Sequence, residues 1–167
     1  MAAFDVQQVQ PKKMLFLVHR GIILEKAMES FARVVNIPKN KMGLLTGNKK
    51  SYDADYLFAT IQTMKNEFHS YRPDEFEYIV VDEAHHATSP SYQKVLDHFN
   101  PKFLLGMTAT PERSDNGNVF DLFDNNLAVD IRLRQALEEN LLVPFHYYGI
   151  TDQTGVDLSD ELLTPDQ

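Results

Sequence analysis

The sequence predicts an α/β fold in which helices cover both faces of a parallel sheet, and three observations support this prediction. Short apolar runs such as 14–18 and 78–81 are flanked by polar residues, as is typical of strands buried on both faces. Helical patterns with an apolar stripe separate these runs, most clearly at 22–35. Polar or charged residues follow directly after the apolar runs. Strands that alternate with helices favour parallel pairing through right-handed crossovers.

The predicted elements follow one another along most of the chain. Strands are expected at 14–18, 43–46, 56–60, 76–81, 102–107 and 145–150. Helices are expected at 22–35, at about 61–68, from Ser89 and Pro90 onward, and at 132–141. We interpret 1–150 as one domain and the polar, acidic segment 151–167 as a linker.

Composition narrows the class of protein. The chain has 167 residues, enough for one domain with a real core, and its 43% hydrophobic content argues against disorder. The absence of cysteine excludes disulfides and cysteine zinc sites. No stretch is long and apolar enough to cross a bilayer, and the N-terminus lacks a signal-peptide core, so we expect a cytoplasmic protein without a membrane partner.

The charge balance limits how this chain could contact a polyanion. Its net charge is −8, which argues against nucleic-acid binding through one broad basic face. Any such contact must be local, through loop side chains, backbone N–H groups and helix N-termini.

Two adjacent carboxylates, Asp82 and Glu83, end the apolar run 78–81. Open parallel sheets place their chemistry just beyond the carboxyl ends of their strands. Successive strand residues point in opposite directions, so one carboxylate can face a hydrated Mg²⁺ while the other faces a water molecule. A metal that neutralises phosphate charge and a base that orients the attacking water are what an ATPase requires.

The motifs at the predicted strand ends resemble those of superfamily 2 helicases and translocases. Segments 82–85 (Asp-Glu-Ala-His) and 108–111 (Thr-Ala-Thr-Pro) are similar to motifs II and III of that family. Segments 17–20 (Leu-Val-His-Arg) and 45–47 (Leu-Thr-Gly) resemble motifs Ia and Ib, and 58–63 resembles the motif between Ib and II. The resemblance extends over about 14–150 and is strongest to bacterial DEAH-type DNA helicases related to type III restriction subunits. It implies a RecA-like first motor domain that uses ATP and Mg²⁺ and acts on nucleic acid, with DNA expected rather than RNA.

The resemblance also implies roles for individual residues. Asp82 would hold Mg²⁺ through water, and Glu83 would orient the attacking water. His85 and the hydroxyls of Thr108 and Thr110 would couple the nucleotide state to strand binding. A further set of residues would line the path of one nucleic-acid strand, mainly at its phosphates: Arg20, Thr46, Gly47, Thr60 and Thr63.

One motif of the family is missing from this sequence. The P-loop G-x-x-x-x-G-K-[ST], whose backbone donors and lysine hold the β- and γ-phosphates, does not occur in the 167 residues. Segment 2–11 stands where the later part of the P-loop helix is expected, so the fold is of the P-loop NTPase type without its first strand and P-loop. We therefore interpret the chain as an inactive piece of a longer helicase whose second motor domain lies beyond residue 167. Since the missing strand would lie beside the strand that ends at Thr108, we expect marginal stability, self-association or a different packing of that edge.

Other interpretations remain open from the residues alone. A naturally P-loop-less domain could serve as a scaffold or interaction module, and Asp82, Glu83 and the histidines could belong to a metal-dependent hydrolase, although the i, i+4 histidine spacing of a zinc protease is absent. Thr46, Thr60 and Thr63 could simply cap turns or helices. Arg20 could be an ordinary solvated residue after a strand.

Overall fold

The computed structural model describes residues 2–110, 119–139 and 141–143. The chain divides into two compact units, Met1–Leu127 and Ala128–Gln167. The first contains all the strands that the structure describes, and the second contains a short helix, Leu133–Glu138. The predicted strand 145–150 and the predicted linker 151–167 lie outside the described residues.

The described strands form one parallel sheet, which confirms the predicted fold class. They are β1 (Met14–Val18), β2 (Met42–Leu45), β3 (Tyr56–Thr60), β4 (Tyr78–Asp82) and β5 (Phe103–Met107). Their spatial order is β2-β3-β1-β4-β5, and every neighbouring pair is parallel. The first strand in sequence is therefore the central strand in space.

Six helices occur in the part of the chain that the structure describes. They are α1 (Ala2–Val9), α2 (Ile22–Val35), α3 (Ile61–Glu67), α4 (Pro90–Leu96), α5 (Val119–Leu122) and α6 (Leu133–Glu138). Short 3₁₀ turns occur at Lys39–Lys41, Phe68–Ser70 and Ala84–His86. Pro90 occupies the start of α4 after the cap residue Ser89, as predicted.

The alternation of side chains along β1 explains how the sheet separates two cores. All five residues of β1 are buried. Leu15 and Leu17 belong to one apolar cluster, and Phe16 belongs to the other, because successive strand residues face opposite sides. Helices α3 and α4 cover the Leu15 side, and α1 and α2 cover the Phe16 side.

Several boundaries differ from the sequence-based prediction. The strand predicted at 76–81 runs from Tyr78 to Asp82, so Asp82 is the last strand residue rather than the first residue after it. The helix predicted at 61–68 changes to a 3₁₀ turn at Phe68, and the helix predicted at 132–141 is limited to Leu133–Glu138. Phe76 is buried beside the sheet without being a strand residue, which explains the misplaced start of β4.

The N-terminal segment forms a helix at the position that the family resemblance implies. Helix α1 packs on α2, and its Val6 is fully buried. The hydroxyl of Tyr78 in β4 donates a hydrogen bond to Asp5 of α1. A side-chain bond therefore joins α1 to the strand that carries Asp82.

Strand β5 is an edge of the described sheet and is the most exposed of its strands. Phe103 is 48% exposed, and the remaining residues of β5 are half-buried. The ring of Phe123, just after α5, lies over Gly106 so closely that an added Cβ would approach it within 2.4 Å. This edge is where the resemblance places the missing P-loop strand; marginal stability and self-association remain predictions.

None of the helices that the structure describes is long and apolar enough to span a lipid bilayer.

Candidate functional site

The carboxyl ends of the parallel strands bring most of the predicted site residues to one edge of the sheet. Across this edge, in spatial order, lie Thr46 after β2, Thr60 at the end of β3, Arg20 after β1, Asp82 at the end of β4 and Thr108 after β5. Residues separated by up to 88 positions in sequence, Arg20 and Thr108, thus share one edge. Open α/β sheets bind their ligands at this location.

Asp82 occupies the innermost position of the acidic pair. It is half-buried and pairs with Met107 of β5 in the sheet register. Burial raises the pKa of the Asp82 carboxyl, the Glu83 backbone N–H that donates to Oδ1 at 3.0 Å lowers it, and the charge of Glu83 adds a smaller increase. A partly desolvated carboxylate favours a cationic partner, so this residue suits a hydrated divalent cation.

Glu83 marks an abrupt turn in the backbone. Its φ of 53° and ψ of 49° lie in the left-handed region, which non-glycine residues adopt infrequently. The turn ends β4 and leads into the 3₁₀ turn Ala84–His86, where the His86 N–H donates to the Glu83 carbonyl at 2.9 Å. The Glu83 side chain remains 46% exposed, so its carboxylate is accessible to a ligand or to water.

His85 connects the acidic pair to the neighbouring strand end. Its Nδ1 lies 2.9 Å from Thr108 Oγ1 and 3.3 Å from Glu83 Oε2, and its side chain is only 10% exposed. Thr108 Oγ1 also accepts a hydrogen bond from the Thr110 backbone N–H at 3.1 Å. Motifs II and III are therefore in direct contact through one imidazole.

The threonines predicted to line a nucleic-acid path are already hydrogen-bonded within the chain. Thr46 Oγ1 accepts bonds from the backbone N–H groups of Asn48 and Lys49, at 3.3 and 3.1 Å. Thr60 is buried, and its hydroxyl lies 2.9 Å from that of Thr63. Thr46 thus caps a turn, which agrees with the alternative prediction that these threonines cap turns or helices. Thr60, in contrast, makes no side-chain cap bond to α3.

The remaining predicted path residues lie open to solvent. Arg20 is exposed and follows His19, which is the first residue after β1. Gly47 is exposed in the loop after β2, and nothing lies within 4 Å of a Cβ placed there. A shallow cavity of about 240 Å³ beside this loop is lined by α2 and by the residues around Thr46. Lys49 and Glu25 of α2, which both line this cavity, form a 2.7 Å ion pair.

The structure also places residues at this edge whose roles the sequence did not reveal. The ring centroid of His86 lies 5.0 Å from that of His19 and 4.2 Å from that of His85. Gln62 Nε2 lies 3.3 Å from His19 Nδ1. The double histidine was a visible signal, but its contact with His19 depends on β1 being the neighbour of β4. Within the described ranges, no group of three or more His, Cys, Asp or Glu residues is arranged to hold a metal ion.

Tyr92 of α4 lies beneath the acidic pair. It is 1% exposed, and its hydroxyl has no hydrogen-bond partner in the part of the chain that the structure describes. Burial, together with the charges of Asp82 and Glu83, raises the pKa of its phenol. The sequence predicted Tyr92 only as part of the apolar face of its helix.

Comparison with known proteins identifies the family of this chain. The family described as "Type III restriction enzyme, res subunit" matches residues 1–113. The chain belongs to this family. This family and the relatives described below place the chain among the ATP-dependent helicases and nucleic-acid motors with a RecA-like fold.

Individual relatives show the same relationship. The chain is 34% identical over 112 residues to IRC3 of Saccharomyces cerevisiae, named provisionally as an ATP-dependent helicase, and this covers 62% of the chain. It is 32% identical over 161 residues to irc3 of Schizosaccharomyces pombe, named provisionally as a mitochondrial ATP-dependent helicase, covering 92% of the chain. The crystal structure of the Hef helicase domain of Pyrococcus furiosus aligns with 72% of the chain and 28% of that domain at a TM-score of 0.58 and 26% identity. The chain spans 16% and 26% of the length of the two yeast relatives.

Proposed function

We propose that this chain is part of the first motor domain of an ATP-dependent DNA helicase or translocase. The observation that carries the proposal is the contact of Glu83 and Thr108 with the same His85 imidazole at the carboxyl edge of the sheet. Family membership supports a nucleic-acid motor, and the restriction-enzyme character of the family favours DNA as the substrate.

The half of the edge formed by β4 and β5 carries the proposed catalytic groups. Asp82 would hold Mg²⁺ through water, and its partial burial and exposed neighbour Glu83 fit a hydrated cation. The metal, when bound with ATP, supplies charge neutralisation at the phosphates. Glu83 orients the attacking water with its accessible carboxylate. His85, Thr108 and Thr110 couple the nucleotide state at this half of the edge to nucleic-acid binding at the other half.

The half formed by β2, β3 and β1 carries the proposed nucleic-acid contacts. Arg20 and Gly47 are exposed and can approach a phosphate directly, the first with its guanidinium and the second with its backbone N–H. Thr46, Thr60 and Thr63 hold the shape of this surface through the hydrogen bonds already described. The remaining hydrogen-bonding capacity of their hydroxyls is available to the nucleic-acid strand.

The chain alone is proposed to be inactive as an ATPase. Phosphoryl transfer depends almost entirely on positioning and electrostatic stabilisation of the phosphates. The sequence contains no P-loop to provide either. We propose that 1–150 belongs to the first motor domain, that 151–167 leads toward a second one, and that ATP binds between the two; a cytoplasmic location stays a prediction.

A substitution at Glu83 tests the catalytic proposal. In the full-length protein, Glu83→Gln is expected to lower DNA-stimulated ATP turnover at least about 100-fold while ATP affinity changes little, because the amide keeps the shape but cannot act as a base. Turnover is measured by phosphate release and ATP affinity by fluorescence of a labelled nucleotide. Glu29→Gln, at an exposed carboxylate of α2, is the matched control. Turnover that survives in Glu83→Gln would exclude this residue as the water-orienting group.

The missing P-loop favours a second candidate function, a non-catalytic scaffold or interaction module. This candidate predicts that the gene encodes no G-x-x-x-x-G-K-[ST] segment upstream of Ala2. It also predicts that the full-length protein binds no ATP. An upstream P-loop together with ATP turnover would exclude it.

A further inference from the structure

The side chains between the two halves of the edge form a continuous series of contacts. Gln62 of α3 contacts His19, His19 contacts His86, His86 contacts His85, and His85 contacts Thr108. The series crosses from β3 to β5 by way of β1 and β4, which are adjacent in the sheet. It therefore joins the proposed nucleic-acid half to the proposed catalytic half.

We propose that His86 is a positioning residue whose ring transmits nucleic-acid binding at β1 to Glu83 and His85. This inference rests on the proposed function, which it deepens. Motif residues His85 and Thr108 connect β4 with β5; His86 extends this connection to β1, where His19 precedes Arg20.

The backbone at His86 explains how a movement of its ring reaches Glu83. The His86 N–H bond to the Glu83 carbonyl closes the turn in which Glu83 adopts its left-handed conformation. The His86 carbonyl accepts the N–H of Ser89, the cap residue of α4, at 3.0 Å. The turn is anchored by Ala84, which is 1% exposed. A shift of the His86 ring therefore changes the orientation of Glu83 rather than being absorbed by a mobile loop.

The exposure of the rings gives the series a direction. His19 is exposed and can respond to a phosphate that binds beside Arg20, whereas His86 is half-buried and His85 is 10% exposed. A ligand at the outer ring thus displaces an inner pair that is packed against the catalytic groups. Differential contacts of this kind are what couples two sites.

The first experiment compares two substitutions in the full-length protein. His86→Phe keeps a planar ring, and His86→Gln keeps hydrogen-bonding capacity without a ring. We expect His86→Gln to lower the ratio of DNA-stimulated to basal ATPase about fivefold, in the usual range of coupling between sites. His86→Phe should stay within about twofold of the original ratio, and DNA affinity should change less than about twofold in both. His69→Gln, which removes an exposed imidazole stacked on Phe68, is the control. Equal ratios for the Phe and Gln variants would overturn the proposal.

The second experiment measures the contact series without relying on catalysis. Ring resonances of His85 are followed by NMR in the 167-residue chain, and His19→Ala is introduced in the presence and absence of His86→Gln. The His85 resonances should shift with His19→Ala only when the His86 ring is present. A shift that persists in His86→Gln, or no shift in either background, would overturn the inference. If the NMR result is as expected but the full-length protein shows no DNA-stimulated turnover, the proposed function fails and the coupling role fails with it, although the ring contacts stand.

Discussion

The two halves of the carboxyl edge differ in how far their polar groups are satisfied by the chain itself. On the β2-β3-β1 half, the hydroxyls of Thr46, Thr60 and Thr63 all have partners within hydrogen-bonding distance. On the β4-β5 half, Asp82 is half-buried with a raised pKa, and the Tyr92 hydroxyl lies buried without a partner in the described part of the chain. The first half is thus preorganised as it stands. The second holds groups whose burial is costly until a ligand or further chain compensates for it.

The outer strands of the two halves show the same contrast. Three of the four residues of β2 are buried, whereas no residue of β5 is. At Gly43 in β2, an added Cβ would approach the Cβ atoms of Ser51 and Ala54 within 2.5 and 2.6 Å. At Gly106 in β5, the nearest atom belongs to the outer end of the Phe123 ring. The β2 edge is closely packed by atoms near the backbone, and the β5 edge is covered by a side chain that can move.

The largest expected effect separates these two edges. Gly43→Ala should lower the free energy of unfolding by about 1–3 kcal/mol, because overpacking a closed site forces the backbone to shift. Gly106→Ala should cost less, since the Phe123 ring can rotate away. Urea unfolding of the chain measures both, with Gly47→Ala as a control at a position with open space around it. A greater loss for Gly106→Ala would show that the β5 edge is the more closely packed of the two.

The second prediction concerns the bond between β4 and β5. Thr108→Val removes the hydroxyl that contacts His85 and accepts the Thr110 N–H. In the full-length protein we expect DNA unwinding to fall about fivefold, with a smaller loss of ATPase, because one hydrogen bond between the coupling residues is worth about 1 kcal/mol. Thr108→Ser keeps the hydroxyl and should restore most of the unwinding. Equal losses of unwinding and ATPase in Thr108→Val would remove the coupling role.

A third prediction follows from the raised pKa of Asp82. The folded chain binds this proton more tightly than the unfolded chain, so the contribution of Asp82 to the free energy of unfolding falls as the pH rises above about 4, the ordinary carboxyl value. Asp82→Asn should remove this decline and stabilise the metal-free chain at neutral pH. Urea unfolding between pH 4 and pH 7 in the presence of EDTA measures the difference. Asp53→Asn, at an exposed carboxylate, is the control; a similar response of both variants would contradict this account.

The smallest effect is expected on the β2-β3-β1 half. Glu25 forms a 2.7 Å ion pair with Lys49, and the hydrogen bond and charge of Lys49 hold the pKa of the Glu25 carboxyl below its usual value. Glu25→Gln should free Lys49 for a phosphate, raise DNA affinity roughly twofold and steepen its salt dependence by nearly one counterion. Fluorescence anisotropy over a range of salt concentrations measures both quantities. Glu29→Gln on the same helix is the control, and an unchanged salt dependence in Glu25→Gln would place Lys49 outside the strand path.

Most of the fold was predictable because each strand is an apolar run with a polar residue at its end. The limits of β1 and β3 were predicted to the residue, since Met14–Val18 and Tyr56–Thr60 are sharply bounded. The start of β4 was wrong because Phe76 is buried without pairing in the sheet. Helix α5 was missed because four residues are too few to show a helical period.

The candidate site divides in the same way. The polar residues at strand ends could be recognised from motifs, and parallel pairing then brings them to one edge. The contacts of His19 with His86 and Gln62 could not be predicted from the sequence. They depend on β1 lying between β3 and β4, an order that differs from the order in sequence. The buried Tyr92 hydroxyl, which has no partner among the described residues, has no sequence signal, since tyrosine on an apolar helix face usually finds a partner.

The left-handed backbone at Glu83 has a consequence for saturation mutagenesis of this position. Glycine and asparagine tolerate that conformation, whereas valine and isoleucine do not. Variants at this position would therefore vary independently in protein yield and in chemistry, with glycine well folded and inert and the β-branched residues poorly folded. A screen that reads only enzymatic output would merge the two classes, while one that also records expression would separate the steric demand of the turn from the chemical demand for a carboxylate.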